Sequence, residues 1–155
     1  MSRIELRTVS GDDWETWRDL RLQALAEAPY AFGSTLADWQ DADEERWRDR
    51  LGWGDGTNLV VLLDGEPAAM ASGIPDGDAV VVISMWVAPV ARGRGAGDLL
   101  LSTIEELARS GGAVRMLLDV AEGNGAAMRL YERHGFVPTD ETDGHERTWE
   151  KLLQG

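Results

Sequence analysis

The chain has 155 residues, 43% of them apolar, and a formal charge of −13 at pH 7. This length and composition predict one globular domain over residues 1–155, large enough to bury a core. The negative charge argues against a nucleic-acid partner, because nucleic-acid phosphates would be repelled. No run of about 18 apolar residues occurs, so we expect no membrane partner.

Cysteine is absent, which excludes disulfides, thiolate metal sites and a cysteine nucleophile. The first ten residues, MSRIELRTVS, lack the apolar core of a signal peptide. Both features predict a cytoplasmic protein, and the preference for Arg over Lys is typical of GC-rich bacterial genomes. His134 and His145 do not show metal-ligand spacing, so we predict no metal site.

The first third of the chain predicts one strand and two helices. The segment IELRTV alternates apolar and polar residues as a strand does. Ser10 and Asp13 form a capping-box pattern at the start of a helix, and Pro29 ends that helix. Asp41 and Glu44 suggest a second capping box at the start of the next helix.

The rest of the chain predicts a mixed α/β sheet. A hairpin is expected to turn at Asp64-Gly65, and the PDGD segment predicts another turn. The apolar run AVVVISMWVA then predicts a central strand covered on both faces. A helix, a buried strand, a second helix that begins at Asn124, and two short strands follow. The order β α α β β β α β α β β predicts the α/β class, with a βαβ crossover.

A glycine-rich turn, RGRGAG at residues 92–97, joins the apolar strand to the helix of the crossover. The amides at the N-terminus of a helix and the helix dipole favour anions, and glycines let the backbone approach a ligand closely. Arg92 and Arg94 add forked donors for phosphate oxygens. The turn therefore predicts a diphosphate site. No P-loop string occurs. The dinucleotide fingerprint lacks its third glycine, which is replaced by Asp98 counting from Gly93 and by Leu100 counting from Gly95. Asp119 at the end of the next strand nevertheless keeps nicotinamide binding as an alternative.

Two motifs resemble the signatures of the GCN5-related N-acetyltransferases, the GNAT family. The first, V-x-P-x-x-R-G-x-G-x-G, covers residues 87–97 and is similar to the acetyl-CoA loop of that family. The second, N-x-x-A-x-x-L-Y-x-x-x-G-F, is matched at six positions: Asn124, Ala127, Leu130, Tyr131, Gly135 and Phe136. The predicted order of strands and helices also resembles the fold of that family.

The resemblance implies the GNAT acyl-CoA N-acyltransferase fold. That fold has a central, mostly antiparallel sheet with about four flanking helices and a V-shaped split between its fourth and fifth strands. Acetyl-CoA would lie in the split, with its pantetheine arm paired to the backbone like an added strand and oriented by Asn124. The residues that the resemblance assigns to the cofactor are Trp86, Val87, Arg92, Gly93, Arg94, Gly95, Ala96, Gly97 and Asn124. Position 98 departs from the family, where it is often basic, because Asp98 places an acid near the expected phosphates.

The implied activity is direct transfer of an acetyl group from acetyl-CoA to a primary amine of a small molecule or peptide. Tyr131 is the candidate general acid, because a phenol stays protonated at neutral pH and can donate to the leaving sulfur. The general base is left open among Asp119, Glu122 and water. A CoA-binding regulatory module without turnover is the alternative function, and the resemblance also makes a homodimer plausible.

Aromatic residues are concentrated in the first third of the chain, which usually forms the acceptor lid in the family. Trp39, Trp47, Trp53 and Phe32 would suit a cationic or apolar amine. The acidic segment DADEE, residues 41–45, could attract such an amine. Packing and surface roles explain these residues equally well.

Overall fold

A computed structural model of the chain describes residues 3–27 and 35–153. Within them, seven strands form one sheet in the order β1-β2-β3-β4-β5-β7-β6. The strands are β1 (Ile4–Val9), β2 (Thr57–Leu63), β3 (Glu66–Asp76), β4 (Ala79–Val87), β5 (Arg115–Ala121), β6 (Val137–Asp143) and β7 (Glu146–Leu152). The helices are α1 (Trp14–Glu27), α2 (Leu36–Trp39), α3 (Glu44–Leu51), α4 (Ala96–Ser110) and α5 (Gly125–Arg133). The predicted order is confirmed, with the four-residue α2 added; Pro29 and Phe32 lie outside the described residues.

Strands β1 to β4 are antiparallel neighbours. The β2–β3 connection turns at Asp64 and Gly65, whose φ angles are 52° and 87°. The β3–β4 connection includes Gly77 at φ 62°. Positive φ is the conformation that tight hairpin turns require and that Gly and Asp tolerate best. Both predicted turns are therefore confirmed.

The sheet splits between its fourth and fifth strands. Strands β4 and β5 are parallel and pair only from Ala79↔Arg115 to Val81↔Leu117, although β4 continues to Val87 and β5 to Ala121. The β3–β4 register also shifts near Ser84, whose φ of 56° marks a bulge in β4. The predicted βαβ crossover through α4 and the V-shaped opening are both present.

Two apolar cores cover the two faces of the sheet. Because successive side chains of a strand point to opposite faces, Leu59 and Val61 join one core, whereas Val60 and Leu62 join the other. The first core includes buried residues of α4, and the second includes buried residues of α1 and α3. None of the helices in the described part of the chain is long and apolar enough to cross a membrane.

Local capping fixes where the early helices begin. The Ser10 amide donates to Asp13 Oδ2 at 2.9 Å, which confirms the first capping box, at a 3-10 turn (Gly11–Asp13) that leads directly into α1. The predicted Asp41–Glu44 box is wrong, because α3 is capped by Asp43, whose Oδ1 accepts from the Arg46 amide at 2.9 Å. Aspartates fill several positions of this segment, and the sequence spacing alone could not show which of them takes the extended N-cap conformation.

Candidate active site

Two cavities meet at the split in the sheet. The first, here called the loop cavity, has a volume of about 680 Å³ and lies against the glycine-rich turn. The second, the tryptophan cavity, has a volume of about 380 Å³ and lies against α1 and α3. Four residues line both cavities: Met85, Asn124, Ala127 and Tyr131. Ligands bound in the two cavities would therefore meet at these side chains.

The loop cavity brings together the predicted cofactor residues with the exception of Arg94, which is not among its lining residues. Gly93 and Gly95 have φ angles of 77° and 85°, and a Cβ at either position would meet no atom within 4 Å. These two glycines are thus required by the backbone conformation rather than by lack of space. Gly95 is the N-cap of α4, so the first amides of the helix point out of its end without an acceptor inside the helix. This geometry fits an anionic ligand.

Gly97 has a different role from the two glycines before it. A Cβ on Gly97 would lie 3.0 Å from Leu130 Cδ2 and 3.5 Å from Met85 Cε. The absence of a side chain therefore lets the first turn of α4 approach α5 closely. The sequence motif includes Gly97 with the loop, but the structure shows that it also sets the packing between two helices.

Glu27 holds the glycine-rich turn against the end of α1. Arg92 Nη2 donates to Glu27 Oε1 at 2.6 Å, and Arg92 Nε donates to the Val87 carbonyl at 3.1 Å. Trp86 Nε1 donates to Glu27 Oε2 at 3.3 Å. The Arg92 hydrogen bond is the main reason that the pKa of Glu27 lies below its usual value. No motif indicates Glu27, because it acts through contacts with residues about 60 positions away.

The unusual acid after the loop is neutralised by its neighbours. Asp98 Oδ1 lies 2.8 Å from His134 Nε2 and 3.1 Å from Arg133 Nη2. Burial alone would raise the pKa of Asp98, but these hydrogen bonds outweigh burial and hold that pKa below its usual value. The ionised Asp98 is therefore paired with cationic and polar groups of α5 and its C-cap beside the expected phosphate site.

Asn124 and Tyr131 belong to α5. Asn124 caps that helix, since its Oδ1 accepts from the Ala127 amide at 3.3 Å. Tyr131 is buried, with its ring packed edge-on against Phe136 at a centroid distance of 6.0 Å. Burial raises the pKa of the Tyr131 phenol well above its ordinary value. The phenol is therefore protonated at neutral pH and can donate a hydrogen bond where the cavities meet.

The tryptophan cavity is lined on one side by aromatic rings and arginines. Its rings belong to Trp17, Trp39, Trp47 and Trp53, and its arginines are Arg21 and Arg50. Trp39 and Trp53, two of the rings expected to receive a cationic amine, instead carry the protein's own cations. The guanidinium carbon of Arg50 lies 4.7 Å from the Trp53 ring centroid, and that of Arg46 lies 4.0 Å from the Trp39 centroid.

The acidic segment at residues 41–45 has structural contacts of its own. Asp43 caps α3, and Glu44 accepts from Arg48 Nε at 3.1 Å one helical turn later. Neither residue is among those that line the tryptophan cavity. Asp43 and Glu44 therefore have structural roles at the start and on the surface of α3. These roles account for the two acids without a role in attracting the substrate.

Three carboxylates line the opposite side of the tryptophan cavity: Asp119, Asp143 and Glu146. Burial, followed by the charges of the two aspartates, raises the pKa of Glu146. Asp119 Oδ1 accepts from Thr148 Oγ1 at 2.7 Å. Glu122, a predicted base candidate, is not among the lining residues. In residues 3–27 and 35–153, no group of three or more His, Asp or Glu side chains could hold a metal ion.

Solved structures of acetyltransferases share the fold of this chain. The PaiA N-acetyltransferase of Thermoplasma acidophilum, solved with coenzyme A, superposes with a TM-score of 0.81 at 19% identity and covers 97% of this chain and 99% of that chain. The GNAT domain of S. lividans PAT superposes with a TM-score of 0.80 at 19% identity, over 97% and 90% of the two chains.

The sequence comparisons identify the family. The model of the acetyltransferase (GNAT) family matches residues 14–136, and the chain belongs to this family. Mycothiol acetyltransferase from Thermobispora bispora is 36% identical over 140 residues, which are 86% of this chain and 46% of that protein. The Nocardiopsis dassonvillei mycothiol acetyltransferase is 34% identical over 149 residues, which are 89% and 44%. The chain thus spans about half the length of these curated relatives.

Proposed function

We propose that this chain transfers an acetyl group from acetyl-CoA directly to a primary amine. One observation carries the proposal: the buried Tyr131 phenol lies between a cavity suited to a diphosphate and a cavity lined by carboxylates. Two substrates that enter from opposite sides of the split would meet beside a proton donor. The bacterial relatives and the absence of cysteine support action in a bacterial cytoplasm.

The loop cavity would hold the acyl donor. Amides at the N-terminus of α4 would bind the diphosphate, helped by positive charge from Arg94. Residues 82–87 of β4 make no backbone pair with β5, so this strand edge can pair with the amides of the pantetheine arm. Asn124 lines the cavity and would orient that arm. Acetyl-CoA, when bound, supplies an activated thioester to this site.

A residue of the tryptophan cavity would remove a proton from the amine. An alkylamine has a pKa near 10 and is mostly protonated at neutral pH, so a proton must leave before the nitrogen can attack. Glu146 accepts that proton, directly or through water, because its raised pKa makes it a better base than an ordinary carboxylate. As the nitrogen–carbon bond forms and the carbon–sulfur bond breaks, Tyr131 donates its phenol proton to the departing sulfur. The second proton that the nitrogen loses on becoming an amide returns through water to the Tyr131 phenolate.

A screen over amines tests the proposal. The protein is incubated with acetyl-CoA and panels of amino acids, polyamines, aminoglycosides and peptides, and free thiol and the mass of the product are measured. We expect thiol release to rise with a subset of the amines and an acetyl group to appear on their nitrogen. If calorimetry shows acetyl-CoA binding but none of the amines is acetylated, the chain is a coenzyme-binding module and the proposal is wrong.

A further inference from the structure

Arg50 is a buried residue of α3 whose side chain points toward the sheet. Its hydrogen-bond partners among the described residues are all neutral. The residue is 4% exposed. Nη1 donates to Asn58 Oδ1 at 3.2 Å, and Nη2 donates to Ser72 Oγ and Ser84 Oγ at 3.0 Å. Within residues 3–27 and 35–153, no carboxylate forms an ion pair with Arg50. Its Nε–H and one Nη1–H also make no hydrogen bond to the described residues.

A second buried arginine increases the positive charge at this place. Arg21 is 9% exposed and lines the same cavity. Burial lowers the pKa of Arg21 to about 10, and burial together with the charge of Arg21 lowers that of Arg50 to about 10. Both guanidinium groups still carry charge at neutral pH. Buried charges are usually paired with opposite charges, so the burial of Arg50 without a carboxylate partner among the described residues is costly.

The neutral contacts of Arg50 fix the position of its charge. Asn58 Nδ2 donates to the Leu51 carbonyl at 2.8 Å, and Ser72 Oγ donates to Asn58 Oδ1 at 2.7 Å. Trp17 and Trp53 lie at 5.2 and 4.7 Å from the guanidinium carbon. A network of this kind orients the guanidinium without neutralising it. It also leaves the charge available to an anion in the cavity that Arg50 lines.

The positive and negative groups of the tryptophan cavity belong to opposite walls of the split. Arg50 contacts the β4 wall through Ser84, next to Met85, which also lines the loop cavity. Asp119 lies on β5, and Glu146 lies on β7, which pairs with β5 along its length. A molecule with an amine at one end and an anion at the other would match this separation of charge. The volume of about 380 Å³ suits a small molecule.

We infer that the amine acceptor is a small molecule that also carries an anionic group, a carboxylate or a phosphate, bound at Arg50 and Arg21. The inference rests on the proposed function, since it assumes that the tryptophan cavity receives the acceptor. The anion supplies the counter-charge that Arg50 lacks among residues 3–27 and 35–153. The amine then lies toward Glu146 and Tyr131, which also line this cavity.

Matched amines test the inference. Phenylalanine and phenethylamine differ in a carboxylate, and phosphoethanolamine and ethanolamine differ in a phosphate. We expect kcat/KM to be about 10- to 100-fold higher for the anionic member of at least one pair, since hydrogen bonds between charged groups are strong. The pair with the larger ratio identifies the anion. If phenethylamine, ethanolamine or spermidine reacts faster than both anionic members, the inference is wrong.

Variants of Arg50 test whether this residue causes the preference for anionic over neutral amines. In Arg50→Met the ratio of kcat/KM for the anionic amine to kcat/KM for its neutral match should fall to about one. Arg50→Lys should keep part of this preference. The ratio is measured on one preparation, so a loss of folded protein cancels. An unchanged ratio in Arg50→Met overturns the inference.

A binding measurement separates the inference from the proposed function. Quenching of tryptophan fluorescence is followed while each matched amine is added to the protein saturated with coenzyme A. Tighter binding of an anionic member without acetylation would support the inference while refuting the proposed function. Acetylation of the neutral amines, together with equal binding of both members of each pair, would support the proposed function and refute the inference.

Discussion

The carboxylate of Glu27 lies 2.6 Å from Arg92 Nη2, so the end of α1 neutralises one of the two arginines of the glycine-rich turn. Both residues line the loop cavity. Arg92, which the sequence predicts to bind a diphosphate, is therefore partly neutralised by a carboxylate of α1, a helix distant in the chain. Substitutions of the two partners should affect acetyl-CoA binding in opposite directions.

Glu27→Gln should tighten acetyl-CoA binding about two- to fivefold at low salt, because it leaves the charge of Arg92 unbalanced beside the diphosphate. Arg92→Ala should weaken binding. Titration calorimetry at two salt concentrations measures both effects, and both should shrink at high salt. Weaker binding in Glu27→Gln would mean that the contact orders the loop more than it screens the charge.

Gly95→Ala should lower the free energy of unfolding by about 1–2 kcal/mol, because a Cβ is strained at positive φ, and should weaken acetyl-CoA binding at least tenfold. Gly77→Ala is the matched control, since Gly77 also has positive φ and no atom within 4 Å of a Cβ but lies in the β3–β4 turn. Chemical denaturation and calorimetry compare the two variants. Equal loss of acetyl-CoA affinity in both would argue against a loop that binds the diphosphate.

Tyr131→Phe should lower kcat about 100-fold or more, because loss of a general acid typically costs that much. The dissociation constant for acetyl-CoA should stay within about twofold, since the ring that packs against Phe136 is retained. Steady-state kinetics and calorimetry measure the two quantities. A variant with wild-type turnover would remove Tyr131 from the mechanism.

Glu146→Gln should lower kcat/KM and change its pH dependence. Because burial and the neighbouring aspartates raise the pKa of Glu146, the wild-type rate should fall as the pH drops through a value above the usual pKa of glutamate, near 4.3. The variant should lack this inflection. Glu122→Gln is the control, because Glu122 does not line the tryptophan cavity, and its profile should match the wild type. Identical profiles for all three proteins would assign the base elsewhere.

Asp98→Asn should destabilise the protein in a pH-dependent way. The pKa of Asp98 is lowered in the folded state, so its ionised form stabilises the fold above the unfolded pKa, near 3.9. That contribution is lost as the pH falls through the lower folded value. Solvent screening of this half-exposed group limits the difference to less than about 1 kcal/mol.

Urea denaturation from pH 2 to 7 should show the wild type and Asp98→Asn converging below about pH 4. Asp140→Asn is the control, because Asp140 is exposed and forms no ion pair with the described residues. A constant difference across the whole range would mean that Asp98 acts through packing rather than through charge.

Features that depend on neighbours in the chain could be predicted from the sequence. The turns at Asp64-Gly65 and PDGD, the cap at Asn124 and the split after the crossover follow from local patterns or from the two motifs. The signal was weaker where several residues of one type compete, as at Asp43, which caps α3 where Asp41 was expected.

The contacts that shape the cavities join residues far apart in sequence and could not be predicted. Glu27 contacts Arg92, Arg50 contacts Ser84, and Glu146 lies in a cavity formed mainly by earlier elements. Each of these three placements depends on the register of strands and the packing of helices, which no short pattern encodes. The sequence indicates the aromatic residues of the first third, but not the arginines that stack on them.

The short seam between β4 and β5 makes the sheet mechanically weak at one place. Three residue pairs, Ala79↔Arg115, Val80↔Met116 and Val81↔Leu117, join the two halves of the sheet. A ligand arm that lies in the gap would supply the missing bridge and couple the halves more rigidly. Amide hydrogen exchange should therefore slow in residues 82–87 when acetyl-CoA binds. Because β4 lines both cavities, this loss of flexibility would couple binding in the loop cavity to binding in the tryptophan cavity.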